Sequence, residues 1–374
     1  MNRLKGFKRI ATAIFILCVS FLVVACAKKP DVGVSKEDMV QDEPINTPWA
    51  SVSPSPSPAI IEEENHEGQA RSKLTGLWVE EEVANRRPVA LMINNISFAS
   101  PQSGIGEASI IYEAVVEGGI TRMMAIFEEI TRDRLGSVRS ARHYFVSVAD
   151  EYDAIYAHFG QTKYATNKIK ELKVDNLSGL EAIGATVYYR DASIKAPHNA
   201  FASAKGIQAG IEKKGYRTTL REGFNNHFVF FDKDTDLVDG TSASKQVVLG
   251  FSGYTTPYFT YDANNKQYYR FQFNKPHIDR VTGEQLCFKN LIIQYVSYWT
   301  IDKKNGYQSM DIEDSKGEGL YITNGKAIAI TWDKKEATKE MHYYDEEGKL
   351  LTINPGKTYI ALYPDNRKKE LILE

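Results

Sequence analysis

The chain has 374 residues, of which 43% are hydrophobic, and it carries a formal charge of −2 at pH 7. This hydrophobic fraction suits a globular protein with a sizeable core. The balanced charge provides no basic surface for nucleic acid, so we expect no nucleic-acid partner.

The N-terminus predicts a signal peptide over residues 1–25. A positively charged start is followed by an apolar run at 10–25, and the sequence VVAC at 23–26 resembles a bacterial lipobox. A lipobox implies that the Cys26 thiol carries a diacylglycerol, with fatty acids such as palmitate, after cleavage. The alternative is an uncleaved transmembrane anchor, but the run of about 16 residues is shorter than the roughly 20 needed to span a bilayer. We therefore expect a lipoprotein on the outer face of the cytoplasmic membrane, with the membrane as its first partner.

The cysteine count limits the chemistry of the mature chain. Cys18 leaves with the signal peptide and Cys26 carries lipid, so Cys287 is left alone. An intramolecular disulfide framework and a metal site built from several thiolates are therefore excluded. We expect neither a metal nor a cofactor.

The composition of residues 26–72 predicts a disordered tether that begins at the lipidated cysteine. The stretch TPWASVSPSPSPAIIEEENHEG is rich in Ser, Pro and Glu. Alternating Ser-Pro favours an extended chain and cannot form a core. The tether would hold the folded part away from the membrane.

Residues 80–235 predict an N-terminal domain in which strands and helices alternate. The strand-like segments, rich in β-branched and aromatic residues, are 87–95, 108–117, 120–130, 152–160 and 185–191. The segments with apolar residues at helical spacing are 140–152, 161–172 and 199–214. We expect an α/β or α+β domain in which helices pack on a layered sheet.

Residues 245–374 predict a second domain made of antiparallel β-structure. The short strand-like segments are KQYYRFQFN, LIIQYVSYWTI, GLYITN, KAIAITWD, MHYYDEEGKLLTI and KTYIALYP. Hairpin signals at Asn324-Gly325 and Glu347-Gly348 separate some of them.

Several long motifs resemble the YerB-like bacterial lipoproteins. In the first domain they are RPVALMINN, PQSGI, YEAVVEGGITR, GSVRSAR, YDAIYAHFG and APHNAF, and in the second GKAIAITWDKK and INPGKTYIALYP. The resemblance covers about residues 85–366, apart from small departures such as Ser137, where proline is expected. It implies a two-domain, membrane-anchored extracytoplasmic protein, and it implies no catalytic mechanism.

The stretch YEAVVEGGITR at 112–122 places charges inside an apolar strand. A two-residue hairpin turn at Gly118-Gly119 would put Glu113, Glu117 and Arg122 on one face of the sheet. Glu117 and Arg122 would then form a diagonal cross-strand pair. Such a pair is either a structural ion pair or part of a ligand site, and the sequence leaves both open.

The stretch GSVRSAR at 136–142 adds two more positive charges. If Ser137 caps a helix, Arg139 and Arg142 lie on one face of its first turns. A helix N-terminus with two arginines suits an anion. The alternative is a solvated basic face of the helix.

Two histidines complete the set of candidate residues. His158, together with His198 and Glu117, permits a metal or acid–base site, but no spacing such as H-E-x-x-H supports it. Core packing for His158, and turn or capping roles for His198 and Asn199, are the competing interpretations. We expect Glu113, Glu117, Arg122, Arg139 and Arg142 to gather near one end of the first domain's sheet, with His158 and Arg190 nearby. His198 and Asn199 are further candidate ligand-binding residues.

These features favour a membrane-anchored binding or regulatory lipoprotein that engages an anionic cell-wall ligand or an envelope protein. Two alternatives remain open. One is a cell-envelope hydrolase or transferase that uses a Glu/Arg/His cluster, and the other is a structural scaffold of a membrane complex.

Overall fold

The computed structural model describes residues 66–335 and 340–374. The predicted signal peptide, Cys26 and most of the predicted tether lie outside these ranges. Ordered structure begins inside the predicted tether, because Gln69–Arg71 pairs with Trp78–Glu80 as a small hairpin. The next residue, Ser72, is buried and donates a 2.6 Å hydrogen bond to Glu128. The folded part therefore starts several residues before the boundary that composition predicts.

The first half of the described chain contains the helices and ten strands. The strands are β1 (Gln69–Arg71), β2 (Trp78–Glu80), β3 (Val89–Asn95), β4 (Ile110–Val115), β5 (Thr121–Phe127), β6 (Leu135–Gly136), β7 (Ile155–His158), β8 (Asn176–Ser178), β9 (Tyr188–Arg190) and β10 (Ala200–Ala202). The helices are α1 (Glu81–Ala84), α2 (His143–Glu151), α3 (Lys163–Leu172), α4 (Gly184–Val187) and α5 (Ala204–Lys214). None of the helices in the described ranges has the length and apolar character needed to span a bilayer.

The second half consists of strands, turns and a 3₁₀ helix at Asp365–Glu370. The strands are β11 (Val229–Phe230), β12 (Thr241–Ser242), β13 (Gln246–Leu249), β14 (Tyr258–Asp262), β15 (Gln267–Gln272), β16 (Lys275–Pro276), β17 (Cys287–Phe288), β18 (Asn290–Val296), β19 (Tyr298–Asp302), β20 (Tyr307–Met310), β21 (Ser315–Thr323), β22 (Lys326–Lys334), β23 (Met341–Tyr344), β24 (Thr352–Ile353), β25 (Thr358–Pro364) and β26 (Leu371–Leu373). The predicted mixed α/β class, with a β-rich second part, is confirmed.

One large sheet joins the two halves. Its strand order is β12-β22-β21-β18-β25-β4-β5-β3-β7-β8. Strand β25 lies between β18 and β4 and is parallel to both, so a strand from the end of the chain pairs with the first domain. The second part is therefore not purely antiparallel. Parallel partners need a long connection, here residues 297–357, and local sequence patterns do not reveal such pairing.

The central strands are covered on both faces. Every residue of β3, β4, β5 and β25 is buried, as expected for strands that run through the middle of a sheet. On one face, Tyr112 of β4 reaches Tyr152 at the end of α2, with 2.9 Å between the hydroxyls. On the other face, the Tyr359 ring of β25 packs on Phe259 of the six-stranded sheet, with 4.9 Å between ring centroids.

The three longer helices begin later than their apolar spacing predicts. Helix α3 begins after Thr162, whose hydroxyl accepts a 3.1 Å hydrogen bond from the amide of Ala165. Helix α5 begins after Ser203, which caps it in the same way, because residues 200–202 form β10. Helix α2 begins only at His143, and this difference changes the candidate site.

Candidate functional site

The charged stretch forms a longer turn than its two glycines predict. Ala114 pairs with Arg122 and Val115 with Thr121, so residues 116–120 form the loop between β4 and β5. Residues Glu117–Gly119 make a short 3₁₀ turn in which both glycines have positive φ. The predicted two-residue hairpin is therefore wrong, and the register differs from it by one residue.

This change of register places Glu113 and Arg122 on opposite faces of the sheet. A shift of one residue moves a side chain to the opposite face of a sheet. Arg122 lies on the same face as Ala114, and Glu113 points the other way. The prediction that Glu113 and Arg122 share a face is therefore wrong, and the charges form two separate groups.

Glu117 is the acceptor of the first group. Its carboxylate receives two hydrogen bonds from Arg142, one from Nε at 3.1 Å and a shorter one from Nη2. Nη2 of Arg122 lies 3.6 Å from the same carboxylate. Burial acts to raise the pKa of Glu117, but Arg122 and Arg142 outweigh it and hold that pKa below its usual range.

The two arginines that contact Glu117 are almost completely buried. Arg122 donates a 2.9 Å hydrogen bond to the carbonyl of Ser140. Arg142 donates to the carbonyl of Ala141 at 2.9 Å, and its guanidinium lies 5.4 Å from the ring centre of Tyr307 in β20. Burial and the neighbouring Arg142 lower the pKa of Arg122 to about 9. Backbone carbonyls and the Glu117 carboxylate thus satisfy these two arginines, as in a structural ion-pair network.

Arg139 is the most accessible member of the group. It is half-buried, and its Nη1 donates a long hydrogen bond of 3.3 Å to the carbonyl of Pro197. Its Nε is buried and has no hydrogen-bond partner among the described residues. Burial, followed by the charge of Arg142, lowers the pKa of Arg139. We call Glu117, Arg122, Arg139 and Arg142 the arginine cluster, which contains three guanidinium groups and one carboxylate.

The segment before α2 is extended rather than helical. The amide of Asn94 donates to the carbonyl of Ser137 at 2.9 Å, and the amide of Arg139 donates to the carbonyl of Met92 at 3.0 Å. Residues 137–139 thus run alongside β3, and this backbone pairing overrides the local preference for helix. The predicted helix capped by Ser137 is wrong, and the two arginines precede α2 instead of lying on it.

The histidines do not join Glu117 in one site. The ring nitrogens of His158 lie 2.9 Å from the carbonyl of Gly160 and 3.3 Å from the side-chain oxygen of Asn176, so both have partners. Burial lowers the pKa of His158, in agreement with a core position. His198 lies 3.0 Å from the side chain of Asn94. Within the described ranges, no three His, Cys, Asp or Glu side chains are placed to hold a metal ion.

Arg190 and Asn199 form a separate contact across the β9–β10 pair. Nη1 of Arg190 donates a 2.7 Å hydrogen bond to the side chain of Asn199. The guanidinium also lies 4.7 Å from the ring centre of Phe159, whose amide donates to the carbonyl of Arg139. The pair therefore adjoins the arginine cluster through Phe159 without contacting its charged groups.

Glu113 belongs to the second group, which is completely buried. Its Oε2 accepts from Arg270 at 2.6 Å and from Tyr359 at 2.8 Å. Its Oε1 accepts from Thr121 at 2.6 Å and from Asn95 at 2.9 Å. Both oxygens are fully used, so Glu113 has no capacity left for a ligand. It joins the two halves of the chain instead.

Arg270 is the partner that sequence reasoning missed. In β15, residues 267–272 alternate between half-buried and buried positions, and Arg270 shares the buried face with Tyr268 and Gln272. The sequence QYYRFQ does not reveal this alternation, because the more apolar pair, Tyr269 and Phe271, lies on the half-buried face. A buried arginine needs a carboxylate partner. The partner itself lies 157 positions away and could not be identified from spacing.

A cavity in the first half of the chain lies away from these residues. It has a volume of about 670 Å³ and lies between α5 and the strands that contain Val89 and Ile155, with Arg86 and Glu128 also in its wall. None of the nine predicted site residues lines it.

Comparisons with known proteins place both halves in one family. Residues 74–217 match the model described as "Protein of unknown function (DUF3048) N-terminal domain", and residues 247–360 match the corresponding C-terminal domain. The Bacillus subtilis (strain 168) protein YerB, whose name marks it as a candidate lipoprotein, is 34% identical over 296 residues, which are 79% of this chain and 86% of YerB. A crystal structure of Bacillus subtilis YerB is similar with a TM-score of 0.72 and 31% identity, covering 82% of this chain and 99% of that one.

Proposed function

The chain belongs to the two-domain YerB-like family, and from this premise we propose that it is a lipid-anchored extracytoplasmic protein that binds an anionic ligand of the cell envelope. Cys26 carries the lipid, and the Ser/Pro-rich stretch holds the folded part off the membrane. The similarity to a protein named as a candidate lipoprotein supports the anchor, as does the lipobox sequence.

The excess of positive charge in the arginine cluster carries the proposal of an anionic ligand. The cluster contains three guanidinium groups and the single carboxylate of Glu117, which leaves positive charge that an anion would neutralise. Arg139 provides a buried Nε without a partner, and guanidinium groups suit the planar oxygens of carboxylates and phosphates.

The position of the cluster also favours a ligand site. Strands β3 and β7 are parallel, and both end near the segment that contains Arg139. In sheets covered by helices, ligands tend to bind where strands end and helices begin. Helix α2 begins one residue after Arg142, at this same edge.

The decisive experiment compares Arg139→Gln with Arg190→Gln. Both substitutions remove one positive charge, but Arg190 lies in β9, outside the arginine cluster. Arg142 is unsuitable because its loss would leave the Glu117 charge without its main partner. The probe is purified peptidoglycan sacculi that still carry their anionic polymers, and bound protein is measured by cosedimentation.

We expect the wild-type protein to cosediment and the bound fraction to fall as salt is raised. Arg139→Gln should bind several-fold less at low salt, whereas Arg190→Gln should bind nearly as well as wild type. Circular dichroism would verify that both variants are folded. Equal binding by wild type and folded Arg139→Gln would refute an anion site at the arginine cluster.

A further inference from the structure

A second cavity adjoins the loop that carries Glu117. Its volume is about 340 Å³, near the lower end of the roughly 300–1,000 Å³ typical of small-molecule sites. Its wall is formed by the β4–β5 loop, by the β19–β20 hairpin and by residues Ser252 and Asn366. Both family domains therefore contribute to it.

The lining of this cavity is polar but uncharged. Its side chains include the hydroxyls of Ser252 and Thr300 and the amides of Gln308 and Asn366, and no residue of the wall is ionised at neutral pH. The contrast with the neighbouring arginine cluster is informative, because this wall offers an anion no positively charged partner. A ligand with many neutral hydroxyl or amide groups would match it.

Two exposed aromatic side chains lie beside the cavity. Trp299 lines it and keeps 49% of its surface exposed. Tyr254 is 80% exposed, and its ring lies so close to Gly119 that a Cβ there would be 3.2 Å from it. Aromatic rings that remain open to solvent beside polar groups offer apolar contact area at a small entropic cost, as in many recognition surfaces.

The wall is held in place by the protein's own hydrogen bonds. The Ser252 hydroxyl donates to the carbonyl of Gly119 and accepts from the amide of Tyr254 at 3.0 Å. Gln308 and Thr300 are paired across the hairpin at 3.2 Å. Asn366 is exposed and lines the cavity, so its amide is accessible to a ligand.

We propose that this cavity binds a neutral saccharide segment of an envelope glycan. Sugar rings carry several hydroxyl groups around an apolar C–H face, and they would bind the exposed amide of Asn366 while packing on Trp299. The inference rests on the proposed function only for placing the ligand in the envelope. An acidic substituent of the same polymer would then reach the arginine cluster, which shares the β4–β5 loop with the cavity.

Calorimetric titration with β-1,4-linked N-acetylglucosamine hexamers tests the cavity on the full chain carrying Cys26→Ala. The variants are Trp299→Ala and Asn366→Ala. Ile301→Ala is the matched control, because Ile301 is an exposed apolar residue of the same strand that does not line the cavity. Cosedimentation with sacculi stripped of anionic polymers by acid provides the second probe.

We expect hexamer binding that is insensitive to salt, since the ligand is uncharged. Trp299→Ala should weaken it about tenfold, as for an aromatic anchor, and Ile301→Ala should leave it unchanged. Arg139→Gln should also leave it unchanged, which separates a failure of this proposal from a failure of the anion site. Absence of wild-type binding to both probes, or equal losses in Trp299→Ala and Ile301→Ala, would overturn the saccharide site.

Discussion

The buried contact between Glu113 and Arg270 allows a quantitative prediction. Both side chains are fully buried, and Arg270 lies 2.6 Å from the carboxylate. In Glu113→Gln the shape is preserved, so no cavity forms, but the Arg270 charge loses its counter-charge. The new NH₂ group would also face hydrogen-bond donors in either orientation of the amide. In one orientation the donors are Arg270 and Tyr359, and in the other they are Thr121 and Asn95. Breaking one side of a buried pair typically costs about 3–5 kcal/mol.

This cost converts into a measurable melting shift. At roughly 2.1 cal/mol/K per residue, the unfolding entropy of the compact unit Glu64–Glu374 is about 0.65 kcal/mol/K. A loss of about 3–5 kcal/mol therefore lowers Tm by about 5–8 °C, which scanning calorimetry resolves easily. Because Glu113 and Arg270 lie in different family domains, the wild-type protein should melt in a single transition.

Two control variants make the prediction strict. Glu318→Gln makes the same chemical change in the exposed contact with Lys368 and should leave Tm almost unchanged. Glu113→Gln combined with Arg270→Met should recover part of the loss, because no unpaired buried charge remains. If Glu113→Gln melts within about 1 °C of wild type, the buried ion pair is not a main link between the halves.

Three further predictions concern the anchor, the boundary and the pH dependence. Cys26→Ala should abolish incorporation of labelled palmitate, and equal labelling of both proteins would contradict lipidation. A chain that starts at His66 should fold with a Tm independent of reducing agent. A chain that starts at Ser72 lacks β1 and should have a lower Tm, and equal Tm values would show that β1 contributes nothing to stability. Folding lowers the pKa of Glu117 from 4.5, so the unfolded state binds more protons than the folded state at acidic pH. The stability that the Glu117 carboxylate contributes is therefore lost as pH falls below about 4.5. Glu117→Gln should therefore show a shallower loss of Tm from pH 5 to pH 3, and an unchanged slope would contradict the ion pair.

The sequence predicts elements well where one local pattern dominates. Strands β3 and β4 follow from continuous apolar runs, and α3 follows from apolar spacing with a capping Thr162. The failures occur where distant backbone decides the outcome. Residues 137–139 pair with β3 although their local pattern favours helix, and a loop of five residues instead of two reverses the face of Arg122.

The candidate site was only partly predictable for the same reason. Glu117, Arg122, Arg139 and Arg142 do meet, because a turn and a segment next to β3 place them at one edge. Glu113 does not join them, since its face depends on the register of the hairpin. The cavity beside Trp299 could not be found from the sequence, because its wall combines segments more than 100 positions apart.

If the chain is exported as proposed above, the position of β25 has a consequence for how it folds. Strand β4 has β5 on one side and receives its second neighbour, β25, only from residues 358–364. As the polypeptide emerges N-terminus first, β4 would remain an open edge until almost the whole chain has crossed the membrane. An open edge of this kind is a template for pairing with other chains. Premature termination before residue 358 should therefore yield an aggregation-prone product and not a functional first domain, and the two family domains would be secreted as a single folding unit.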